Sequence, residues 1–294
     1  MLGLAVANDA ETFERMTGPL ADRGIRAEHV TVQETVTHLG DPPFDASRFD
    51  AGFVFPSRLM EGGVVDAFLD VPWVNDRAAV LRSRNKAGAL ATLAAADVPV
   101  PETAYVSNPA DASEVRDVLT ALKPPVVVKP NSTTRGVGVT KVHDPDSLDG
   151  VTDYLELVHD YRATGDKSYL IQEYLADAVD YRVMVLDGEV VGAVRRESPG
   201  WKHNVHGGAT ATGVDLPERL RALAVDAAAA LDVDFLGVDI LATEERAVVS
   251  ETNARPTIDD EAKYEDGFYD RLAALIRRAA GSVEDAGERG ENSE

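Results

Sequence analysis

The segment 236–256, LGVDILATEERAVVSETNARP, holds the densest set of groups that could do chemistry. Two apolar runs flank a polar stretch around Glu245, and this pattern predicts a β-hairpin. If the turn centres there, Asp239 lies directly opposite Glu251, and Asn253 shares their face two residues further on. Opposed carboxylates repel unless a cation lies between them, and oxygen ligands favour Mg²⁺ or Mn²⁺. The same pattern also suits an exposed polar face in an acid-rich chain.

Two lysines stand where they would hold phosphate groups. Lys129 ends the apolar run 126–129 and precedes a loop of small residues, 131–138, whose backbone amides suit an anion. The chain has only seven lysines, so a lysine at the end of a buried strand indicates anion binding. The same reasoning applies to Lys86. The loop lacks the Gly-Lys-Ser/Thr ending of a P-loop, and alone it is equally compatible with an ordinary hairpin turn.

A third cluster concentrates positive charge in an otherwise acidic chain, which suits a phosphate or a carboxylate substrate. Its members are Arg195, Arg196, Lys202, His203 and Asn204. His203 and His206 have helical spacing, but no other nitrogen or sulfur ligand is near them in the sequence, which disfavours a metal site. Trp201 fits packing better than stacking on a substrate.

The composition narrows the function classes. The chain has 51 acidic and 29 basic residues, a net charge of −22, which excludes binding to a nucleic-acid backbone. It has no cysteine, which excludes disulfides, thiolate metal sites and cysteine nucleophiles. No apolar run is long enough to span a membrane, and Met1 leads almost directly into a predicted strand, so we expect a cytoplasmic protein without a signal peptide. The acid-rich, lysine-poor composition indicates a halophilic, salt-accumulating source.

The elements that must position these groups alternate between strands and helices, which predicts an α/β fold. Predicted strands are 2–7, 27–32, 51–55, 71–75, the end of 97–106, 126–129, 137–142, 169–175, a pair within 181–194 that turns at Asp187-Gly188, 235–241 and 247–253. Predicted helices are 10–22, 76–96, 110–122, one that starts near 144–146, 217–231 and 266–279. Asn8-Asp9-Ala10 stands where a dinucleotide-binding glycine motif would follow the first strand, so Rossmann-type binding is not expected.

Taken in order, these pieces resemble the ATP-grasp superfamily and, within it, the RimK-type α-L-glutamate ligases. The similar pieces are VNDRAAVLRSRNK (74–86), VVVKP with TRGVGV, IQEYL (171–175) with Asp180 and Arg182, the cluster RR–W–K–HN–HGG, and GVDIL with VSETNARP. The resemblance covers about residues 74–280. No single piece is specific, but five in the right order make a chance match improbable.

The resemblance implies an α+β ATP-grasp fold that follows an open α/β domain. The implied division is a pre-ATP-grasp α/β domain (1–75), an N-terminal ATP-grasp subdomain (76–168), a C-terminal subdomain with the magnesium hairpin (169–280) and an acidic, disordered tail (281–294).

The resemblance also implies residue roles. Lys86 and Lys129 would hold the ATP phosphates, Glu173 and Tyr174 would contact the adenine, Asp180 would bind the ribose, and Lys202, His203 and Asn204 would line the phosphate and acyl end. Arg196, Lys202 and Asn204 would be catalytic, and Asp239, Glu251 and Asn253 would hold Mg²⁺ or Mn²⁺.

The implied activity is ATP-dependent ligation of a carboxylate to an amine through an acyl phosphate, with glutamate or another amino acid added to a protein, peptide or cofactor. One alternative is a ligase that acts on an amino-group carrier protein in lysine or arginine biosynthesis, and another is an ATP-grasp phosphotransferase. The implied partners are ATP, a carboxylate substrate and an amine substrate, with a carrier protein in one alternative. An oligomer is allowed, and neither nucleic acid nor a membrane is expected.

Two departures fall where the substrates should lie. Relatives commonly follow the metal-binding Asn with a small residue, Pro and Gly, whereas here Arg255-Pro256-Thr257 follows Ala254. The loop after Asn204 has His206-Gly207-Gly208 where relatives often insert an Arg. Glutamate as the added amino acid is therefore an open question. Arg255 either grips a substrate carboxylate or forms a surface salt bridge with Asp259 or Asp260.

Overall fold

The computed structural model describes residues 1–133, 136–161, 167–198, 200–201 and 210–290. In this part of the chain, the strands form two four-stranded sheets and one five-stranded sheet, with helices packed on them. The mixed α/β fold predicted from the sequence is confirmed. None of the helices in the described ranges is long and apolar enough to cross a membrane.

The first sheet is parallel and comes from the N-terminal quarter of the chain. Its elements are β1 (Leu2–Val6), α1 (Ala10–Ala21), β2 (Ile25–His29), β3 (Ala51–Phe53), α2 (Leu59–Leu69) and β4 (Trp73–Val74). The strand order is β2-β1-β3-β4, so the direction of winding reverses between β1 and β3. Open α/β sheets bind ligands at the carboxyl ends of the strands on either side of such a reversal. Helix α2 is missing from the sequence prediction because its two glycines weaken the helical signal.

Two short helices, α3 (Arg77–Arg84) and α4 (Lys86–Ala95), lead away from the first sheet. The sequence predicts one helical stretch from Asp76 to Ala96, but the helix is interrupted at Asn85. The side chain of Asn85 caps α4 by accepting a hydrogen bond from the backbone N–H of Gly88 at 3.1 Å. The break places Lys86 at the start of α4, where its side chain is buried.

The second sheet is antiparallel, with strand order β5-β8-β6-β7. Its elements are β5 (Thr103–Ser107), α5 (Ala112–Leu122), β6 (Val126–Pro130), β7 (Thr140–Val142), α6 (Pro145–Tyr161) and β8 (Ser168–Glu173). Val128 and Ile171 of the sheet pack with Leu119 of α5 and Leu148 of α6 in one apolar core. Strand β6 therefore lies in the interior, and it ends with Lys129 and Pro130.

The third sheet is also antiparallel, with strand order β11-β10-β9-β12-β13. Its elements are β9 (Val179–Leu186), β10 (Glu189–Glu197), β11 (Thr210–Gly213), α7 (Glu218–Leu231), β12 (Phe235–Ala242), β13 (Ala247–Asn253) and α8 (Phe268–Gly290). The alanine-rich face of α7 packs on this sheet, with Leu220 and Ala224 in the same core as Val238.

Helix α8 joins the two ends of the chain. Leu272 and Ile276 share a core with Phe53 of the first sheet and Phe235 of the third, and the rings of Phe53 and Phe235 lie 5.8 Å apart. Residues 1–75 thus share a core with a helix from the far end of the chain. The predicted division into domains at residues 75, 168 and 280 stays a prediction.

The end of α8 differs from the sequence expectation of a disordered tail from Gly281. The helix continues to Gly290. A helix that has already formed is extended by one hydrogen bond for each residue fixed, which favours continuation through this stretch. Residues 291–294 lie outside the described part of the chain.

Asn75 forms the polar centre of the junction between the first and third sheets. Its amide nitrogen donates to the carbonyl oxygens of Phe235 at 2.6 Å and Ala254 at 2.7 Å, and its side-chain oxygen accepts from the N–H of Phe235 at 3.3 Å. Asn75 is buried, so no water can replace these bonds without rearrangement.

Replacement of Asn75 by alanine should therefore destabilise the protein by about 3 kcal/mol, because buried backbone groups lose their partners. The change would be measured as the urea concentration at half-unfolding in concentrated KCl. Gln33→Ala, which removes a half-exposed amide, serves as the control. An Asn75→Ala variant as stable as the control would show that the junction does not depend on this side chain.

Candidate active site

A cavity of about 1560 Å³ opens where the three sheets meet. It is lined by every residue of the predicted site that the structure describes. These are Lys86, Lys129, Glu173, Tyr174, Asp180, Arg196, Asp239, Glu251 and Asn253. Lys202, His203 and Asn204, with His206, Gly207 and Gly208, lie outside the described residues.

The two lysines are buried on one wall of this cavity. The ammonium group of Lys86 lies 3.4 Å from a carboxylate oxygen of Glu251 and donates to the carbonyl of Thr133. Lys129 donates to the side-chain oxygen of Gln172 at 2.9 Å and to the carbonyl of Ser250 at 3.3 Å. Burial lowers the pKa of Lys129 to about 8, and Lys86 adds to the lowering while Glu251 opposes it. Two buried cations on one wall suit a polyanion such as a nucleotide phosphate chain.

The register of the β12–β13 hairpin places Asp239 opposite Glu251, as predicted, but for a reason that the sequence did not show. Ala242 pairs with Ala247 at the turn, so a regular ladder would set Asp239 opposite Ser250. A β-bulge at Ser250 shifts the register by one residue and restores the Asp239–Glu251 pair. The carbonyl of the bulged Ser250 accepts the bond from Lys129. The hairpin and the lysine wall are therefore joined at the bulge.

Asp239 is the centre of a buried ionic cluster. Arg182, directly opposite on β9, contacts both of its carboxylate oxygens, with 2.9 Å between Nη2 and Oδ2. Arg196 lies 3.2 Å from Oδ2 of Asp239 and 2.6 Å from Oδ1 of Asp180. Burial alone would raise the pKa of Asp239, but the two guanidinium groups outweigh it and lower that pKa. The two aspartates and two arginines balance in charge inside the protein.

The opposite end of the cavity is aromatic. The ammonium group of Lys141 lies 4.5 Å from the ring centroid of Tyr174 and 5.3 Å from that of Trp201, and the two rings are 6.2 Å apart. Glu173, just before Tyr174, accepts from the backbone N–H of Glu102 at 2.8 Å and pairs with Arg246. Trp201 packs against Tyr174 and also lines the cavity. A flat heteroaromatic group suits such a surface.

Arg255 forms an ion pair with neither Asp259 nor Asp260. Asp259 pairs instead with Lys263 at 2.7 Å and with Arg15 at 3.5 Å. The guanidinium of Arg255 reaches into the first sheet, where Nη1 donates to Val54 O at 3.1 Å and to Phe55 O, and Nη2 donates to Ala7 O at 3.2 Å. Ala7 follows β1 and Val54 follows β3, so Arg255 lies at the reversal point of the first sheet. Of the two alternatives for Arg255, the surface salt bridge with Asp259 or Asp260 is therefore wrong.

Comparison with protein families matches residues 83–267 to the RimK-like ATP-grasp domain. The match covers more than half of the chain.

This protein belongs to the RimK-like ATP-grasp family.

Two curated relatives illustrate the similarity. A probable alpha-L-glutamate ligase of Serratia proteamaculans is 32% identical over 190 residues, which is 63% of this chain and 60% of the relative. The ribosomal protein bS6–L-glutamate ligase of Escherichia fergusonii is 30% identical over the same shares of both chains. The match thus spans about 60% of the length of either relative. Among solved structures, D-alanine–D-alanine ligase from Bacillus anthracis complexed with ATP has a TM-score of 0.70 at 19% identity and covers 98% of this chain and 100% of its own. At that identity the likeness establishes the fold.

The donor set on the hairpin fits a hard divalent cation. Asp239 and Glu251 are directly opposed, and the side-chain oxygen of Asn253 lies two residues further along β13. All three offer oxygen, the donor that Mg²⁺ and Mn²⁺ prefer. Among the described residues, no three His, Cys, Asp or Glu side chains are grouped so that they could hold a metal ion. The side-chain amide of Asn253 would therefore have to complete a set with Asp239 and Glu251. Lys86 and Arg182 presently balance the two carboxylates, and a cation would compete with them.

Three charged residues at or beside the cavity received no role from the sequence. Arg182 stands two residues after Asp180, so strand alternation places both on one face, and this spacing was a usable signal for the pairing with Asp239. Lys141 and Arg84 also line or border the cavity, but no local pattern distinguishes them from surface residues. Only the tertiary fold brings them to the site.

The lowered pKa of Lys129 predicts a pH dependence of stability. An unfolded lysine takes up its proton below about pH 10.5, whereas Lys129 in the folded protein does so only below about pH 8. Folding stability should therefore fall by about 3 kcal/mol as the pH drops from 10.5 to 8 and stay level below that. Lys129→Met should remove this loss, so its advantage over the wild type should grow as the pH falls through this window.

Urea unfolding between pH 7.5 and pH 10.5 at constant KCl would measure the difference. Lys123→Met, at an exposed lysine, controls for the general effect of losing a positive charge. Parallel curves for Lys129→Met and the wild type would contradict the buried, weakly basic state of Lys129.

Proposed function

We propose that this protein is an ATP-dependent carboxylate–amine ligase that forms an amide through an acyl phosphate and releases ADP and phosphate. The observation that carries the proposal is the convergence of two buried lysines and two opposed carboxylates in one cavity. Membership of the RimK-like ATP-grasp family supports it, since the similar curated proteins are named as glutamate ligases.

The nucleotide would lie along the cavity from the aromatic end to the lysine wall. Tyr174 and the backbone next to Glu173 would face the adenine, and Asp180 would bind the ribose, sharing its carboxylate with Arg196. Lys86 and Lys129 would neutralise the phosphates. Lys202, His203 and Asn204 are assigned to the phosphate and acyl end from the sequence alone.

Asp239, Glu251 and Asn253 would hold a divalent cation, Mg²⁺ or Mn²⁺. When bound, this ion would neutralise charge on the phosphate oxygens. Arg182 and Arg196 are already in contact with Asp239 and would remain beside the phosphates once a cation takes over its carboxylate. They would then supply positive charge where the transferred phosphoryl group bears negative charge.

The reaction needs no nucleophile from the protein. An oxygen of the substrate carboxylate attacks the γ-phosphorus of ATP, the bond to the β,γ-bridging oxygen breaks, and ADP leaves with the electron pair. The amine then attacks the acyl carbon, phosphate leaves, and the nitrogen loses a proton. The cysteine-free chain is consistent with such positioning and charge neutralisation.

The amine substrate is proposed to be an amino acid, because the similar proteins are named as L-glutamate ligases. The acceptor carboxylate belongs to a protein, a peptide or a small metabolite, and the relative named for ribosomal protein bS6 supports the first of these. We also place the protein in the cytoplasm of a salt-accumulating organism, since an excess of 22 negative charges is best tolerated where salt screens them.

The test is phosphate release from ATP in concentrated KCl with MgCl₂, with pooled carboxylates and amino acids, followed by mass spectrometry of the products. A ligase needs both substrates and yields a product lighter by one water than their sum. A phosphorylated product without condensation would assign the protein to the phosphotransferases. Absence of nucleotide binding would refute the proposal.

Asp239→Asn should reduce turnover at least ~100-fold, because it removes a cation ligand and unbalances Arg182 and Arg196. Glu245→Gln, at the exposed turn of the same hairpin, is the matched control and should retain wild-type turnover. Equal activity of the two variants would exclude Asp239 from the metal site.

A further inference from the structure

Two guanidinium groups meet beside the reversal point of the first sheet. Arg84, at the end of α3, donates from Nη1 to the carbonyl of Ser57 at 2.7 Å. Arg255 donates to the carbonyls of Val54 and Phe55 in the same loop. Both side chains line the large cavity. The loop that follows β3 thus gathers two positive charges on one wall.

All the protein partners of these two groups are neutral oxygens. In the described part of the chain, neither Arg84 nor Arg255 has a carboxylate within the 4.0 Å of an ion pair. Carbonyl groups satisfy the N–H donors but do not neutralise the charge, and a buried cation without a counter-ion is costly. Burial lowers the pKa of Arg255 to about 10, Asp9 opposes this, and Arg84 adds to it. Asp9 therefore lies near enough to act on Arg255, but among the described residues no carboxylate pairs directly with either guanidinium group.

The absence of carboxylate partners distinguishes Arg84 and Arg255 from most other basic residues of the cavity. Apart from Lys129, the other lysines and arginines of the described lining each form an ion pair, such as Lys86 with Glu251, Arg182 with Asp239 and Arg58 with Glu61. The described lining contains nine basic and nine acidic residues, in a chain with 29 basic and 51 acidic residues. Although the chain is rich in carboxylates, its described part places none within ion-pair distance of Arg84 or Arg255, which leaves the position open to an anion from outside.

We propose that Arg84 and Arg255 form a binding site for a carboxylate group of the small-molecule substrate, distinct from the group that reacts. This inference rests on the proposed ligase function. Arg84 is exposed and has free donors, so it makes the direct contact. Arg255, whose terminal nitrogens are bound to the protein, supplies the charge behind it.

The proposed site lies next to the reacting groups along the chain. Arg84 stands two residues before Lys86, and Arg255 two residues after Asn253. Two residues of extended chain span at most about 7 Å between Cα atoms. The arginines are therefore anchored next to residues of the phosphate end, and all four side chains line the same cavity, so one substrate molecule can reach both places. The substrate is then bifunctional, with one carboxylate anchored and another group that reacts.

Two substrates can supply such a group: an amino acid that acts as the amine, or a dicarboxylic acid that is activated at its other end. The test compares each probe with its amide, which has the same shape but no charge. The probes are the common amino acids against their α-carboxamides, and dicarboxylic acids of three to six carbons against their monoamides. Binding to the full chain saturated with Mg-ADP is measured by calorimetry in KCl.

In the wild type, at least one acid should bind ~10-fold or more tightly than its amide. Arg84→Gln should abolish this preference while the affinity for ADP stays the same, because Arg84 does not touch the nucleotide residues. Arg77→Gln, an exposed position on the same helix, is the matched control and should keep the preference. Arg255→Lys keeps the positive charge and should retain part of the preference for the acid over its amide. It serves as the second test at this position if Arg255→Gln does not fold.

The class of acid identifies the source: preference among amino acids indicates the amine substrate, and preference among dicarboxylic acids indicates the acyl substrate. If no acid is preferred over its amide, or if Arg84→Gln weakens acid and amide alike, the proposal is wrong. Loss of ADP binding by the wild type would instead refute the ligase function itself. The two failures are therefore distinguishable.

Discussion

The β-bulge at Ser250 is the local feature on which the site depends. It moves Asp239 opposite Glu251, and it turns the Ser250 carbonyl toward the buried ammonium of Lys129. One extra residue in β13 therefore sets the spacing of two carboxylates and links the third sheet to the second. Bulges are known to re-aim side chains next to active sites, and here the re-aimed residue is Glu251, which faces Lys86.

Charge is distributed unevenly in this acidic chain. The described lining of the cavity contains equal numbers of acidic and basic residues, so the chain's excess of 22 negative charges does not come from this lining. Inside the cavity, cross-strand pairs such as Arg182–Asp239 and Arg196–Asp180 hold their charges in fixed positions. Fixed charges of both signs can favour a polyanion and a cation together without a large rearrangement. The net charge of the chain thus suits a salt-rich solvent, whereas the balance of charge in the cavity suits charged ligands.

The segment after the β12–β13 hairpin connects the cavity to the first sheet. Asn75 bonds to Ala254, Asn8 donates to the carbonyl of Pro256 at 3.2 Å, and Arg15 donates to that of Ile258 at 2.9 Å. Arg255 lies in the crevice that open parallel sheets use for ligands. The first sheet therefore contributes a wall to the cavity, and the proposed carboxylate site lies on that wall. The unusual Ala-Arg-Pro-Thr sequence has a structural reason, since a small residue in place of Arg255 could not reach β1 and β3.

Local patterns were enough to predict most strands and helices and to single out the two lysines and the hairpin residues that line the cavity. Apolar alternation, scarce lysines and carboxylates that flank a turn are short-range features, and they survive any tertiary arrangement. The break at Asn85 and the course of α2 were missed because capping and glycine-containing helices give weak local signals. The Asp239–Glu251 pairing was right on the assumption of a turn centred at Glu245, yet the turn is shifted and the bulge compensates.

The tertiary structure alone decided what Arg255, Arg84 and Arg182 do. The sequence offered Arg255 an acidic neighbour at Asp259, but Lys263 and Arg15 take that carboxylate, and Arg255 turns to the carbonyls of the first sheet. Such partners lie about 200 residues away in the chain. The sequence by itself therefore determined which groups are present and which local face each occupies. Which charges meet was decided only when three sheets closed on one cavity, because charge pairing depends on distance in space and not along the chain.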